Sequence, residues 1–189
     1  MENVEKRERT RNKMRNALID LCDEKSYLDI TIANICDQAG VYRSTFYRYY
    51  ETKDELLREI EHDYVEQTRR LTPNLCEYRP DASLEMRKIY FQELATDMGY
   101  HLQNEKICRF LLSPAGDIYF RQKMVDSIGE TVTRCIKRYG YRKTKELNYL
   151  ISFFSAGFVS TIYEWLKVKD RTPEQIAGFL LDMITLLQP

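Results

Sequence analysis

The chain has 189 residues, 43% hydrophobic and 31% charged, which is enough to bury a core as one large domain or as a small module joined to a larger one. No run of about 18 apolar residues occurs, and the N-terminus MENVEKRERTRNKMR is charged where a secretion signal is apolar, so neither a membrane span nor export is expected and the cytoplasm is the default. Its 29 basic and 29 acidic residues cancel, which excludes a polyelectrolyte that coats nucleic acid through bulk charge alone.

A local excess survives this balance. Lys6, Arg7, Arg9, Arg11, Lys13 and Arg15 oppose only Glu8 between residues 6 and 15. Met14, Ala17, Leu18, Leu21 and Cys22 then recur at the spacing of one apolar helix face, predicting a first helix over about 9–24. Asp29 and Thr31 offer caps to a short second helix with Ile32, Ile35, Cys36 and Ala39 inward, and Gly40 supplies the left-handed residue that ends it. Tyr42–Tyr49 forms a short third helix with Val41, Phe46 and Tyr50 facing the core. Thr52 and Glu55 have capping-box spacing for a fourth helix running to about 71.

Pro73 and Pro80 bracket a polar connection that divides the chain into a module of residues 1–52, a connecting fourth helix over 53–72 and a larger region over 73–189. Five further helices are expected there. Asp81 caps one through about 101, Ser113-Pro114 starts another, the longest spans about 144–168, and Thr172-Pro173-x-Gln175 opens the last. The expected fold is all-α, with about nine helices: an N-terminal three-helix helix-turn-helix domain and a C-terminal helical bundle.

Three helices in the first 50 residues, the second and third joined by a glycine turn, form the layout that sets a recognition helix into the DNA major groove. The segment GVYRSTFYRYY suits it. With Phe46 and Tyr50 inward, Arg43, Ser44, Thr45, Tyr47 and Tyr49 project outward as hydrogen-bonding tips toward phosphates and base edges. An aromatic stripe taken alone is more often core; the turn glycine and the two preceding helices favour contact with DNA. Arg9 and Arg11 could reach the minor groove or backbone as a basic arm, although a charge run is usually a solvated face.

From Thr10 to Ile60, and most clearly in T-I-x-x-I-x-x-x-A-G-V-x-x-x-T-F-Y-x-Y-Y-x-x-K-D-E-L-L, the sequence resembles the DNA-binding domain of the TetR family of bacterial transcriptional regulators. The later segment SFFSAGFVSTIYEWLKVKDRTPEQIA is similar to C-terminal domains of a subgroup of that family. The resemblance implies that Tyr47 and Tyr49 hold phosphates, that Thr45 anchors the backbone, and that Thr31 and Lys53 add phosphate contacts. Tyr42 and Arg43 would stand at base edges, Arg43 gripping guanine. Ser44 occupies a position where many members carry glycine, and adds a possible phosphate contact.

A double-stranded, palindromic operator calls for a homodimer. Phe158, Ile162 and Leu166 on the long helix, with Phe179, Leu180, Met183 and Ile184 on the last, are the candidate dimer face, or else fill the core of one chain. Met86, Tyr90, Phe91, Phe110, Phe120, Met124, Phe153 and Phe154 form a candidate lining for a small, largely apolar effector, or equally an ordinary core. His62 and His101 lack partners at metal-ligand spacing, five scattered cysteines suggest no disulfide or zinc framework, and no catalytic motif is present. No metal, cofactor or enzyme activity is expected. The leading function is a homodimeric repressor released from its operator by the effector; the alternative is a DNA-binding adaptor or activator controlled by a protein partner.

Overall fold

The computed structural model describes residues 2–74, 83–113, 119–138 and 144–186. Among them are nine α-helices and no strand. Helix α1 (Glu2–Glu24) is followed by a 3-10 turn (Tyr27–Asp29), then α2 (Ile32–Ala39), α3 (Arg43–Phe46) and α4 (Lys53–Leu71). The second region comprises α5 (Leu84–Gln103), α6 (Glu105–Leu112), α7 (Phe120–Arg138), α8 (Lys145–Val168) and α9 (Pro173–Leu186). No described helix is long and apolar enough to cross a membrane.

The N-terminal module closes around Met14, Leu18, Ile35, Phe46 and Leu56, each without measurable exposure. Its turn is built by backbone bonds at the end of α2. Gly40 adopts φ 64°, its N–H donates to the Asp37 carbonyl at 3.3 Å, and the Val41 N–H donates to the Cys36 carbonyl at 3.0 Å. That pair is a Schellman closure, and it needs the left-handed residue that only glycine adopts without strain. Helix α3 is shorter than the sequence predicts. After Phe46 the chain tightens, with the Tyr49 N–H bonded to the Phe46 carbonyl at 2.9 Å, so Tyr47–Tyr49 is turn rather than helix. This brings Tyr50 under the module, 3% exposed and 5.6 Å from the Phe46 ring.

Most caps follow the expected logic. Thr31 accepts from the Asn34 N–H at 3.2 Å while its own N–H donates to Asn34 Oδ1 at 3.0 Å. Thr172 and Gln175 make the same reciprocal pair at 3.3 and 2.9 Å. At α4 the box is displaced by one residue: Thr52 accepts from Glu55, but the Glu55 carboxylate accepts from the Glu51 N–H at 2.7 Å. Ser83 caps α5. Asp81 and Pro114 lie outside the described residues.

Helix α1 begins at Glu2 rather than near residue 9, so Lys6–Arg15 lies within a helix and the expected flexible arm is corrected. In the second region α8 is the spine, packed on α5, α6 and α7, while α9 lies along α5. Helix α4 belongs to both parts: Leu56, Leu57 and Ile60 join the N-terminal core, and Tyr64 lies at 6.1 Å from the Phe120 ring of α7. Helix α6 completes the junction, with Phe110 6.2 Å from Tyr27 and Lys106 bridging Asp20 and Asp23 of α1 at 3.1 and 3.4 Å.

Candidate nucleic-acid interface

The outward face around the glycine turn contains two kinds of polar side chain. Tyr42, Arg43, Ser44 and Tyr47 are exposed, Tyr42 by 83% and Tyr47 by 57%, and none makes a side-chain hydrogen bond or ion pair among the described residues. Their position is nonetheless fixed, because Phe46 is fully buried and stacks edge-on with Tyr47 at 5.9 Å. Thr45 is half-buried beside them. Tyr49 is half-buried too, its ring 6.3 Å from that of Tyr50.

The second kind is already committed inside the chain. Lys53 Nζ donates to the carbonyl oxygens of Tyr27 and Ile30 at 2.7 Å each and of Leu28 at 3.3 Å, and sits 4.4 Å from the centre of the Tyr27 ring. Tyr27 in turn donates to Asp54 Oδ1 at 2.5 Å. Lys53 therefore fastens the 3-10 turn to the start of α4, and in the free protein its charge is not offered to phosphate. Thr31 lies at the module surface, but its hydroxyl is spent on Asn34 at 2.9 Å, and Asn34 is also held by Lys25 at 2.9 Å. Arg11 ion-pairs with Glu59 at 2.5 Å and with Glu8 at 3.1 Å. Of the two arginines assigned to a basic arm, Arg9 alone stays exposed without a partner among the described residues.

Glu59 also accepts from the Tyr50 hydroxyl at 2.9 Å. Burial, countered by Arg11 and reinforced by Glu59, pushes the Tyr50 phenol up to about 12, so it remains a neutral donor. Arg15 pairs with Asp63 and, at 3.4 Å, with Glu59. The segment that follows the glycine turn is thus tied through Tyr50 to α4 and, by way of Glu59, to α1.

Residues 16–60 match the model of bacterial regulatory proteins of the tetR family, and residues 91–186, just over half of the chain, match a transcriptional regulator C-terminal region of the same family. The chain belongs to the TetR family. It is accordingly a DNA-binding transcriptional regulator. A TetR transcriptional regulator from Streptococcus agalactiae is 25% identical, with 97% of this chain and 98% of that one covered at a TM-score of 0.66. The dihydroxyacetone kinase operon activator DhaS is 16% identical over 94% of each chain at 0.61. FadR from Bacillus subtilis, solved with stearoyl-CoA, is 14% identical over 92% of this chain and 96% of that one, also at 0.61. No curated protein matches the sequence.

In this TetR-family bundle, the residues assigned to a dimer face divide. Phe158, Ile162, Leu166 and Leu180 are at most 8% exposed within one chain and form its core, whereas Phe179 and Met183 are exposed by 40% and 38%. The side chain of Ile184 lies outside the described residues. The outward stripe on α8 runs instead through Tyr149, Phe153, Ala156 and Gly157, with Tyr149 73% and Phe153 72% exposed. A Cβ placed on Gly157 would meet nothing within 4 Å, while Ser155, two residues before it, is fully buried beside Gly129.

The eight residues assigned to an effector lining also separate. Tyr90, Phe120, Met124 and Phe110 are buried, Met86, Phe91 and Phe154 half-buried, and Phe153 faces out and is corrected to the outer stripe. Phe110 contacts the DNA-binding module through Tyr27, and Phe154 stacks on Phe158 at 6.0 Å. None of them lines the cleft of about 400 Å³ that opens between α1, α4, α5 and α6.

His101 was read as an isolated histidine. It is 1% exposed, its Nε2 lies 3.4 Å from Asp97 Oδ2, and its Nδ1 is hydrogen-bonded to the Tyr64 hydroxyl with Cys108 Sγ at 3.8 Å. Burial works against its charge, but the carboxylate of Asp97 and, to a smaller extent, Cys108 together outweigh it and push the imidazole up to about 10. The i, i+4 spacing of Asp97 and His101 was the available signal.

Proposed function

We propose that this TetR-family protein is a homodimeric repressor that recognises a palindromic operator through Arg43 and Tyr42, with Ser44, Thr45, Tyr47 and Tyr49 on the flanking phosphates. The observation that carries the reading is the contrast between spent and unspent donors. Four exposed side chains on a locked turn have no hydrogen-bond or ion-pair partner among the described residues, and phosphates and base edges could supply one. Thr31 and Lys53 support this surface through the loop they brace. Arg9 is the one α1 arginine of the pair kept as a contact.

The dimer is proposed to form through the outer stripe of α8 and the exposed part of α9, where Phe153, Phe179 and Met183 would be buried and Gly157 would allow close approach. A small, largely apolar effector within the bundle is supported by the half-buried Met86, Phe91 and Phe154 and by the stearoyl-CoA bound to FadR. The effector would release DNA only by preferring one of two module orientations. Activation through a partner protein is the second reading, favoured by the outward turn of Phe153 and by the activator role of DhaS.

Anisotropy titration of DNA from the gene's own upstream region against scrambled DNA, across a salt series, tests the proposal. Arg43→Ala should shrink the preference for operator by about 1–3 kcal/mol, while Tyr47→Phe weakens both DNAs alike. An unchanged preference in Arg43→Ala removes that residue from base reading. Equal, weak binding of the unaltered protein to both DNAs moves the weight to a partner-controlled regulator.

A further inference from the structure

The cleft between α1, α4, α5 and α6 lies at the junction of the DNA-binding module and the regulatory bundle, and its volume of about 400 Å³ falls within the range of small-molecule sites. Its floor is apolar and firm. Ile60 is 1% and Ile107 8% exposed, and Tyr64 beside them is 2% exposed with its hydroxyl held by His101. The rim carries charge, but that charge is already paired: Arg15 with Asp63 and Glu59, and Glu8 with Arg11. An ionic ligand would have to displace an existing partner.

What remains unspent is neutral. Asn12 and Asn16, one turn apart on α1, have amides with no hydrogen-bond partner among the described residues. Tyr100, on the facing helix α5, has a hydroxyl that likewise makes no hydrogen bond among the described residues, and burial raises its pKa, so it stays a protonated donor. Its ring lies 5.4 Å from that of Tyr64. Two amides that both donate and accept, with a phenol facing them, match a molecule with several hydroxyl groups.

We propose that the junction cleft binds a neutral polyhydroxylated molecule of monosaccharide size, through Asn12, Asn16 and Tyr100. The site is separate from the apolar effector site proposed above. Because α1 packs in the N-terminal module and α5 in the bundle, a ligand bridging Asn16 and Tyr100 would favour one orientation of the two. The binding step itself does not depend on DNA.

Isothermal titration of the full-length protein without DNA, using glucose, ribose, myo-inositol and ribitol, provides the test, with glucose 6-phosphate and spermidine as charged counterparts. Saturable binding of at least one neutral probe is expected at one site per chain. Asn16→Leu and Tyr100→Phe should each weaken it about tenfold, the size of one lost hydrogen bond, while Thr161→Ala on α8 leaves it unchanged. Failure of all four neutral probes, binding by the charged probes alone, or binding indifferent to both cleft variants would each overturn the assignment. Operator titration with the same variants keeps the outcomes distinct: a cleft that binds nothing leaves DNA recognition intact, and failed recognition leaves the polyol isotherm interpretable.

Discussion

At the end proposed to face DNA, Tyr42, Arg43, Ser44 and Tyr47 hold their hydrogen-bonding groups in solvent on a turn fixed by Gly40 and Phe46. In the regulatory bundle the polar groups are placed the other way. Asp97 and His101 are 5% and 1% exposed, Glu61 is 2% exposed and paired with Lys123 at 2.5 Å, and Asp97 Oδ1 is buried without a hydrogen bond among the described residues. An exposed donor loses little by waiting for a ligand, since water serves it meanwhile. A buried ion gains nothing from solvent, so its geometry must be complete or its cost is carried permanently. The recognition surface is therefore cheap to alter for stability and sensitive for function, and the buried cluster is the reverse.

The largest expected effect breaks the buried cluster. Asp97→Ala removes the carboxylate that keeps the buried His101 charged, so the imidazole must give up its proton or stay charged without that partner, and the variant should lose about 3–5 kcal/mol in urea unfolding near pH 6, with little direct effect on base preference. The pH dependence sharpens the assignment. In the unaltered protein His101 titrates at about 10, above its ordinary value of 6.5, so its contribution is full below pH 6.5 and declines as pH rises toward 10. Without Asp97, burial is the largest remaining influence, opposed only by the smaller contribution of Cys108, and it lowers the imidazole, so the sign reverses: stability from this group should fall as pH drops below 6.5. An identical pH profile for the two proteins would mean that His101 is neutral in the fold.

The next effect concerns the outer stripe of α8. Phe153→Asp should leave the chain folded, because the side chain is already 72% exposed, yet weaken self-association by about 2 kcal/mol or more if it anchors the dimer. Sedimentation across a concentration series reads this directly. A dimer that persists unchanged would assign the stripe to a different partner, and Phe158→Ala provides the contrast, since a core residue loses stability before it loses association.

The two ends also differed in how readily the sequence disclosed them. Gly40, Thr31 and the Thr172–Gln175 pair act on neighbours within a few residues, and local chemistry of that kind is written in local spacing. The family resemblance rests on the same segment. Helix α8 is apolar on several sides, so periodicity could not separate Phe153, which faces out, from Phe158 and Ile162, which face in; only the packing of α5, α6 and α7 decides. His101 likewise looked solitary because Tyr64 and Cys108 come from other helices. Side chains such as Lys53 and Arg11 had the right type and place for phosphate contacts, but their carbonyl and carboxylate partners become visible only in three dimensions.

Lys53 carries the smallest of these effects and lies on the boundary between the two behaviours. It stands near the recognition surface, yet it is bound to three carbonyl oxygens of its own chain. Hydrogen bonds to a charged group contribute about 1.5–3 kcal/mol, so Lys53→Met, which keeps the stem and removes the ammonium, should lower stability by about that amount. If bracing is its whole role, the salt dependence of DNA binding should not change, because no phosphate contact is lost. A slope reduced by about one unit, with stability intact, would instead show that the ammonium leaves the carbonyls when DNA arrives. Lys53→Arg separates the cases further: it keeps the charge for phosphate, but its planar fork does not fit the carbonyl arrangement that a compact ammonium fills.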